Sequence, residues 1–283
     1  MSQERNVAGV YEGRPTLEGA GVHLKRVFGY HEAPNFDPFL MLDDFHSDNP
    51  ADYLAGFPWH PHRGIETVTY MLDGKVEHGD SLGNSGTIRA GQIQWMTAGS
   101  GIIHQEMPKG VNGRMAGLQL WVNLPRSHKM MKPRYRDVHA EDIPLVRPDD
   151  GIEVKIISGK MDRLTGPVRD IICDIEYLDV SLSPGKRFEH AVGKGRNAFA
   201  YILRGEGVFD RTGRRNLASE HLAHYSDGEK IVIETTEMPL RFLFLSGVPL
   251  NEPVAWRGPI VMNTWEELDL AFKEYHAGTF IKG

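Results

Sequence analysis

His60 and His62 stand two residues apart in GFPWHPHRGIETVTYMLDG (56–74), and His104 and Glu106 repeat that spacing in GQIQWMTAGSGIIHQEMP (91–108). Side chains two apart on a β-strand share a face, so each pair can aim two donor atoms at one point. Imidazole is a common ligand of iron, copper, nickel and zinc, and a carboxylate widens the donor set. The chemistry on offer is therefore metal binding by His60, His62, His104 and Glu106, drawn from two strands. Either pair alone has a bland explanation: a chance HxH among thirteen histidines, or a solvated His and Glu on an edge strand. Two such pairs in one chain favour the metal site. Glu66 lies four residues beyond His62 and shares its strand parity, so it is expected to face the same cavity, supporting the ligands or substituting for one.

Three neutral imidazoles and one carboxylate leave two positions of an octahedron open, enough for a substrate and dioxygen together. Iron(II) is the first choice on that ground. Nickel, copper, manganese and zinc are alternatives because ligand type discriminates weakly among them, although zinc has no redox role.

Such pairs need strands to hold them. Thirty-one glycines and seventeen prolines punctuate many short apolar runs, which predicts an all-β body. Expected strands are 67–72, 75–80, 86–90, 92–98, 118–124, 154–159, 177–182, 198–203, 231–236 and 240–245. The tail differs: Trp265, Leu268, Phe272 and Tyr275 recur on one helical face, Thr264 and Glu267 have capping-box spacing, and Gly278 can terminate the turn. A C-terminal helix over 264–276 follows. The segments 66–80 and 197–211 resemble each other at an offset of 131 residues, with Tyr70, Leu72 and Gly74 falling on Tyr201, Leu203 and Gly205. Duplication of one barrel is expected, giving domains 1–145 and 146–283. At the same offset His60, His62 and Glu66 fall on Ala191, Gly193 and Asn197, so the second copy lacks the paired ligands. His190, His221 and His224 have no such pairing and are expected to be surface or core histidines.

A formal charge of -6, from 32 basic and 38 acidic residues, argues against non-specific attraction to nucleic acid or anionic membranes. No apolar run has the length of a membrane span and no leader-like start is visible, so a cytoplasmic protein is expected. The single cysteine, Cys173, excludes an intrachain disulfide; its apolar surroundings favour a buried structural thiol over a nucleophile.

The two histidine-bearing segments resemble the paired motifs of the cupin superfamily. Together with FLMLDDF (39–45), LQLWVNLP (118–125) and GPIVMNTWEE (258–267) they are similar, over nearly the whole chain, to the pirin family. The resemblance implies a bicupin of two stacked jelly-roll-type β-barrels plus the C-terminal helix, with one metal ion in the N-terminal barrel on His60, His62, His104 and Glu106. It departs from the usual cupin arrangement, whose carboxylate would stand at Glu66. It also implies quercetin 2,3-dioxygenase-like activity: opening of a flavonol ring by O2 with loss of carbon monoxide. Glu106 is then the candidate base for the flavonol 3-hydroxyl and Glu66 the reserve. Phe57, Trp59, Met71, Trp95 and Met107 are candidates to line a flat pocket, with ordinary core packing the expected fate of most of them. The resemblance implies a second role as well, a metal- or redox-sensing regulator that binds a protein partner. The basic stretch RSHKMMKPRYR (126–136) would be its docking surface, or else a solvated connector.

Overall fold

The computed structural model describes residues 3–210 and 212–282. Its strands run β1 (Val7–Glu12), β2 (Arg14–Glu18), β3 (Val22–Phe28), β4 (Phe39–Ser47), β5 (Phe57–His62), β6 (Ile65–Asp73), β7 (Lys75–Asp80), β8 (Ser85–Arg89), β9 (Ile93–Thr97), β10 (Ile102–Lys109), β11 (Met115–Asn123) and β12 (Arg134–Val138). The second half continues with β13 (Leu145–Val146), β14 (Ile152–Ser158), β15 (Lys160–Met161), β16 (Leu164–Thr165), β17 (Ile175–Leu182), β18 (Arg187–Ala191), β19 (Asn197–Asp210), β20 (Arg215–Ala218), β21 (His221–Tyr225), β22 (Lys230–Glu234) and β23 (Leu240–Gly247). Two short strands, β24 (Ala255–Arg257) and β25 (Ile260–Met262), precede the helix α1 (Trp265–His276). Every expected strand overlaps an observed one. No helix among the described residues is long and apolar enough to cross a membrane.

The chain folds as two compact units. One comprises residues 14–34, 38–140 and everything from Leu250 on; the other comprises the segment up to Gly13, Asn35–Asp37 and Glu141–Pro249. The main division is close to the expected boundary near 145, but the ends are exchanged relative to the ranges 1–145 and 146–283. β1 pairs with β21 of the second unit, and β24, β25 and α1 belong to the first. Backbone pairing and burial of apolar faces decide membership, and neither is visible as a composition shift.

In the first unit a seven-stranded sheet, β12-β9-β6-β11-β4-β3-β2, and a four-stranded sheet, β5-β10-β7-β8, form jelly-roll-type layers. Leu24, Phe45, Met71, Val76, Ile88 and Met115 fill the space between them toward one end, and Met41, Ile65, Met96, Ala98, Ile102 and Val261 toward the other. Burial of such side chains is the main favourable term in folding, about 1.5–3 kcal/mol for each large one. The second unit repeats the strand order: β21-β19-β23-β17-β14 corresponds to β9-β6-β11-β4-β3. The matched glycines are alike too, with φ of +75° at Gly74 and +82° at Gly205, a turn conformation that a side chain opposes. The core of the second unit is apolar, built around residues such as Val154, Val180, Phe209 and Phe242.

The helix begins with the expected capping box. Thr264 Oγ1 accepts from the Glu267 amide and Glu267 Oε2 accepts from the Thr264 amide, at 3.2 and 3.1 Å. Its buried stripe differs from expectation at one position: Leu268 and Ala271 are buried, Phe272 and Tyr275 pack beside them, and Trp265 stands 55% exposed. As the first helical residue, Trp265 precedes the turn that meets the sheet.

Candidate metal centre

β5 is an edge strand, hydrogen-bonded only to β10. That position tolerates Pro58 and Pro61, which cannot donate to a second neighbour, and so permits the Pro-rich sequence FPWHPH. Antiparallel pairing sets His60 directly opposite His104, while across β10 His104 faces Asp80 and Glu106 faces His78. The result is three imidazoles whose ligating nitrogens all lie within 4.8 Å of one another, an arrangement that could hold a metal ion.

The hydrogen bonds of the ring nitrogens determine what this cluster wants. His60 Nδ1 lies 2.8 Å from the Pro58 carbonyl and His62 Nδ1 lies 3.2 Å from the Pro259 carbonyl. A carbonyl only accepts, so both Nδ1 atoms carry the proton, and both Nε2 atoms of the neutral rings present lone pairs. These two Nε2 atoms face each other at 3.1 Å. No hydrogen bond can form between two acceptors, and their repulsion is relieved by a cation. Ligands at right angles around a metal with M–N near 2.1 Å stand roughly 3 Å apart, which fits the observed spacing. The third ring adds to the demand: both nitrogens of His104 are buried without a hydrogen-bond partner, a situation that costs about 1–3 kcal/mol per group.

Protonation offers no escape. Burial lowers the pKa of His60 below the ordinary imidazole value, and burial followed by the neighbouring imidazoles lowers His62 and His104 well below it. The rings remain neutral ligands at neutral pH. Glu106 stands beside the three-histidine cluster, its Oε2 4.0 Å from His104 Nε2. Burial pushes this carboxyl up to about 7, an effect that the hydrogen bond from Thr69 partly opposes. Thr69 Oγ1 lies 3.2 Å from Glu106 Oε1 and 2.6 Å from Gln119 Oε1, which fixes the direction of the carboxylate.

Glu66 is not part of this cluster, contrary to expectation. β5 ends at His62, Gly64 turns the chain at φ +78°, and β6 begins at Ile65. Strand parity cannot be counted across that turn. Within β6, Thr69 faces the cluster, so Glu66, three residues earlier, lies on the other face of the sheet. There its Oε1 accepts from Thr97 Oγ1 at 2.6 Å, opposite it on β9, and burial raises its pKa. Glu66 is therefore placed neither to support the ligands nor to act as the reserve base.

His60, His62 and Glu106 open onto a cavity of about 640 Å3. Its walls combine Phe57 and Trp59 with Tyr30, Trp121 and Trp256, and Arg26, Asp43 and Gln119 supply polar groups. Of the five candidate lining residues Phe57 and Trp59 reach it, and the others pack elsewhere, as expected for most of them. Met71 packs in the core between the sheets, and Trp95, fully buried, is on the Glu66 face because it stands two residues from Thr97 on β9. Met107 is directed at Gly56. Gln119 and Trp121 were legible in principle, being two apart in the strand LQLWVN. Trp256 and Pro259 carried no such signal, since they reach the site from the far end of the chain.

The stretch 126–136 does not form one basic surface. Lys129 is 2% exposed and donates to Gly64 O, Asn123 Oδ1 and Val261 O at 2.9, 2.7 and 2.9 Å. It is an internal tie, unlike the exposed Arg126. At the counterpart of the site in the second unit, Ala191 of β18 faces Lys230 of β22 where His60 faces His104. His190 there is buried and paired with Glu176 at 2.9 Å. Cys173 is buried, as expected.

Comparison with known proteins agrees with this architecture. Residues 21–122 match the family described as Pirin, and residues 177–281 match the Pirin C-terminal cupin domain. The chain is 46% identical over 277 residues to a pirin-like protein of Caulobacter vibrioides, with 98% of this chain and 99% of that protein covered. A pirin-like protein of Solanum lycopersicum is 42% identical over 279 residues, covering 98% and 94%. Among solved structures, a quercetin 2,3-dioxygenase from Acinetobacter baumannii aligns with a TM-score of 0.90 at 33% identity, over 98% of each chain. Two cupin units in series, one of them with a three-histidine cluster, and likeness along nearly its full length make this chain a member of the pirin family of bicupins.

Proposed function

We propose that the protein is a metal-dependent dioxygenase acting in the cytoplasm. It holds one divalent ion, iron(II), on His60, His62, His104 and Glu106 and opens flavonols such as quercetin with O2, releasing carbon monoxide. The single observation that carries this reading is the pair of opposed Nε2 lone pairs at 3.1 Å, each ring locked by a backbone carbonyl, on the wall of an aromatic-lined cavity. The likeness to the Acinetobacter baumannii quercetin 2,3-dioxygenase supports the substrate class.

When bound, the ion supplies a Lewis-acidic, redox-active centre for the flavonol oxygen and O2. The rest of the work falls to the chain. His60, His62 and His104 stay neutral and so keep their lone pairs available. Glu106, the carboxylate beside the cluster and open to the cavity, accepts the proton of the flavonol 3-hydroxyl and releases it again. Thr69 holds Oε1 of that carboxyl, leaving Oε2 toward His104. Trp121 and Trp256, with ring centroids 6.0 Å apart, and Phe57 and Trp59 offer flat faces to a planar ligand and exclude water from it.

The test compares wild type with a His60→Ala/His62→Ala double variant for metal content and for oxygen uptake with quercetin. About one iron per chain with quercetin-dependent uptake, both lost in the variant, is the expected result. Bound metal without oxygen uptake would leave the site standing and shift the function to metal-dependent regulation through a protein partner. Equal, negligible metal in both proteins would refute the reading.

A further inference from the structure

We infer that the C-terminal segment 255–282 is a positioning element for His62, an inference that rests on the metal reading above. The two histidines of β5 are oriented differently. His60 donates to Pro58, two residues away on its own strand, whereas His62 donates to Pro259, nearly 200 residues further on. The acceptor of a ligand's second ring nitrogen fixes its tautomer and direction, and losing such a partner typically weakens metal binding about 10–100-fold. His62 therefore aims correctly only while the tail holds the Pro259 carbonyl in place.

Two buried cations do the holding. Arg63, the residue after His62, is 2% exposed. Its Nη1 donates to Glu274 Oε2 at 2.7 Å, its Nη2 to the Phe280 carbonyl at 2.8 Å, and its guanidinium lies 4.2 Å from the Phe280 ring centroid. The Arg63 carbonyl accepts from the Val261 amide at 3.1 Å, in a parallel bridge between Arg63 and Ile260. Lys129 links the Gly64 and Val261 carbonyls from the other side. Burying two charged groups is costly, and partners on both segments offset that cost only while the tail stays docked. The tail has a small core of its own, Leu268 and Ala271 of α1 packed with Ala255, Ile260, Met262 and Phe280. It is joined to the sheets by Ile103 of β10, which packs against that core, and by Trp256 and Val261, which pack with Met41, Ile65 and Ile102. Residues 255–282 thus act on the ligand through Pro259.

Glu274 is the point to perturb because it lies on the helix, away from the imidazoles, and also bonds Lys282 at 2.7 Å. Three variants separate positioning from general stability: Glu274→Ala removes the Arg63 partner, Glu274→Gln keeps an acceptor, and Lys282→Ala breaks the outer contacts to Glu274 and the Thr279 carbonyl while leaving the Arg63 pair in place. Each is loaded with cobalt(II), its visible spectrum is recorded, and cobalt release to a chelator is timed. In the metal-free proteins, imidazole nitrogen NMR reads the His62 tautomer. Glu274→Ala is expected to release cobalt about 10-fold faster or more, with an altered spectrum and a His62 ring no longer confined to the Nδ1–H form. Glu274→Gln is expected to restore most of the difference, and Lys282→Ala to match wild type. Wild-type release, spectrum and tautomer in Glu274→Ala would overturn the inference. Should wild type take up no cobalt, the metal reading fails, and the tautomer comparison alone decides whether the tail positions His62.

Discussion

Glu106 is a buried carboxyl whose charge is useful only when a cation is beside it, and replacing it with Gln separates those two conditions. Burial raises it from 4.5 to about 7 in the folded metal-free chain. Across that window the folded chain retains a proton that the unfolded chain has released, so the stability of the metal-free protein falls as pH rises from 4.5 through 7. About 2.5 pKa units at 1.36 kcal/mol each amounts to about 3 kcal/mol lost above pH 7. Gln is neutral and of the same shape, so Glu106→Gln removes this cost. Urea unfolding of chelator-treated protein, followed by tryptophan fluorescence, measures it in the relevant unit, because Trp59, Trp95, Trp121, Trp256 and Trp265 are all five tryptophans and all lie there. The variant is expected to exceed wild type by about 3 kcal/mol at pH 8 and by less than about 1 kcal/mol at pH 5. On the proposed ligand set the order is expected to reverse with metal present, because only wild type offers a carboxylate at this position. A Glu106→Gln advantage that is absent at pH 8, or the same at pH 5, would refute the view that this carboxyl is held ionised against its environment.

Acid should expel the metal from wild type, because protons compete for the lone pairs of the same three imidazoles. As burial lowers all three imidazoles, retention measured by dialysis against buffers of falling pH should persist below the ordinary histidine range near 6.5. Loss beginning at or above that value would contradict the burial argument. Gly64→Ala should destabilise the site-bearing unit severely, by about 3 kcal/mol or more, since its φ is +78° and a Cβ would lie 1.9 Å from the Val261 carbonyl; a soluble variant with wild-type melting would show that this turn is not so tightly packed. On α1, Leu268→Ala should cost about 2–5 kcal/mol, whereas Trp265→Ser at the exposed first position should fall within about 0.5 kcal/mol of wild type. Equal effects at the two positions in thermal melts would mean that the helix docks by a different face.

Much of this molecule was legible in its sequence because the relevant signals are local. Short apolar runs broken by glycine mark strands, and Thr264 with Glu267 marks a helix start. Imidazoles two apart on one strand share a face wherever that strand goes, so the pairing of His60 with His62 survives in the fold. The duplication was legible for the same reason, since a glycine-centred turn leaves a fixed spacing in both copies. Glu66 shows where local reasoning stops: one glycine turn between β5 and β6 resets strand parity, and the residue passes to the other side of the sheet. Lys129 is a second case, a charge in a basic stretch that burial turns into an internal tie.

By itself the sequence determined the all-β class, the two-cupin organisation, the capped terminal helix and the histidines able to share a metal. Tertiary structure alone decided that the chain's ends are exchanged between the units, that Trp121 and Trp256 wall the cavity, and that Pro259 sets the tautomer of His62. The physical reason is that periodicity and turn chemistry act between neighbours in the chain. Hydrogen-bond acceptors and aromatic walls are recruited by whichever segments the packing of apolar faces brings together, at any separation in sequence.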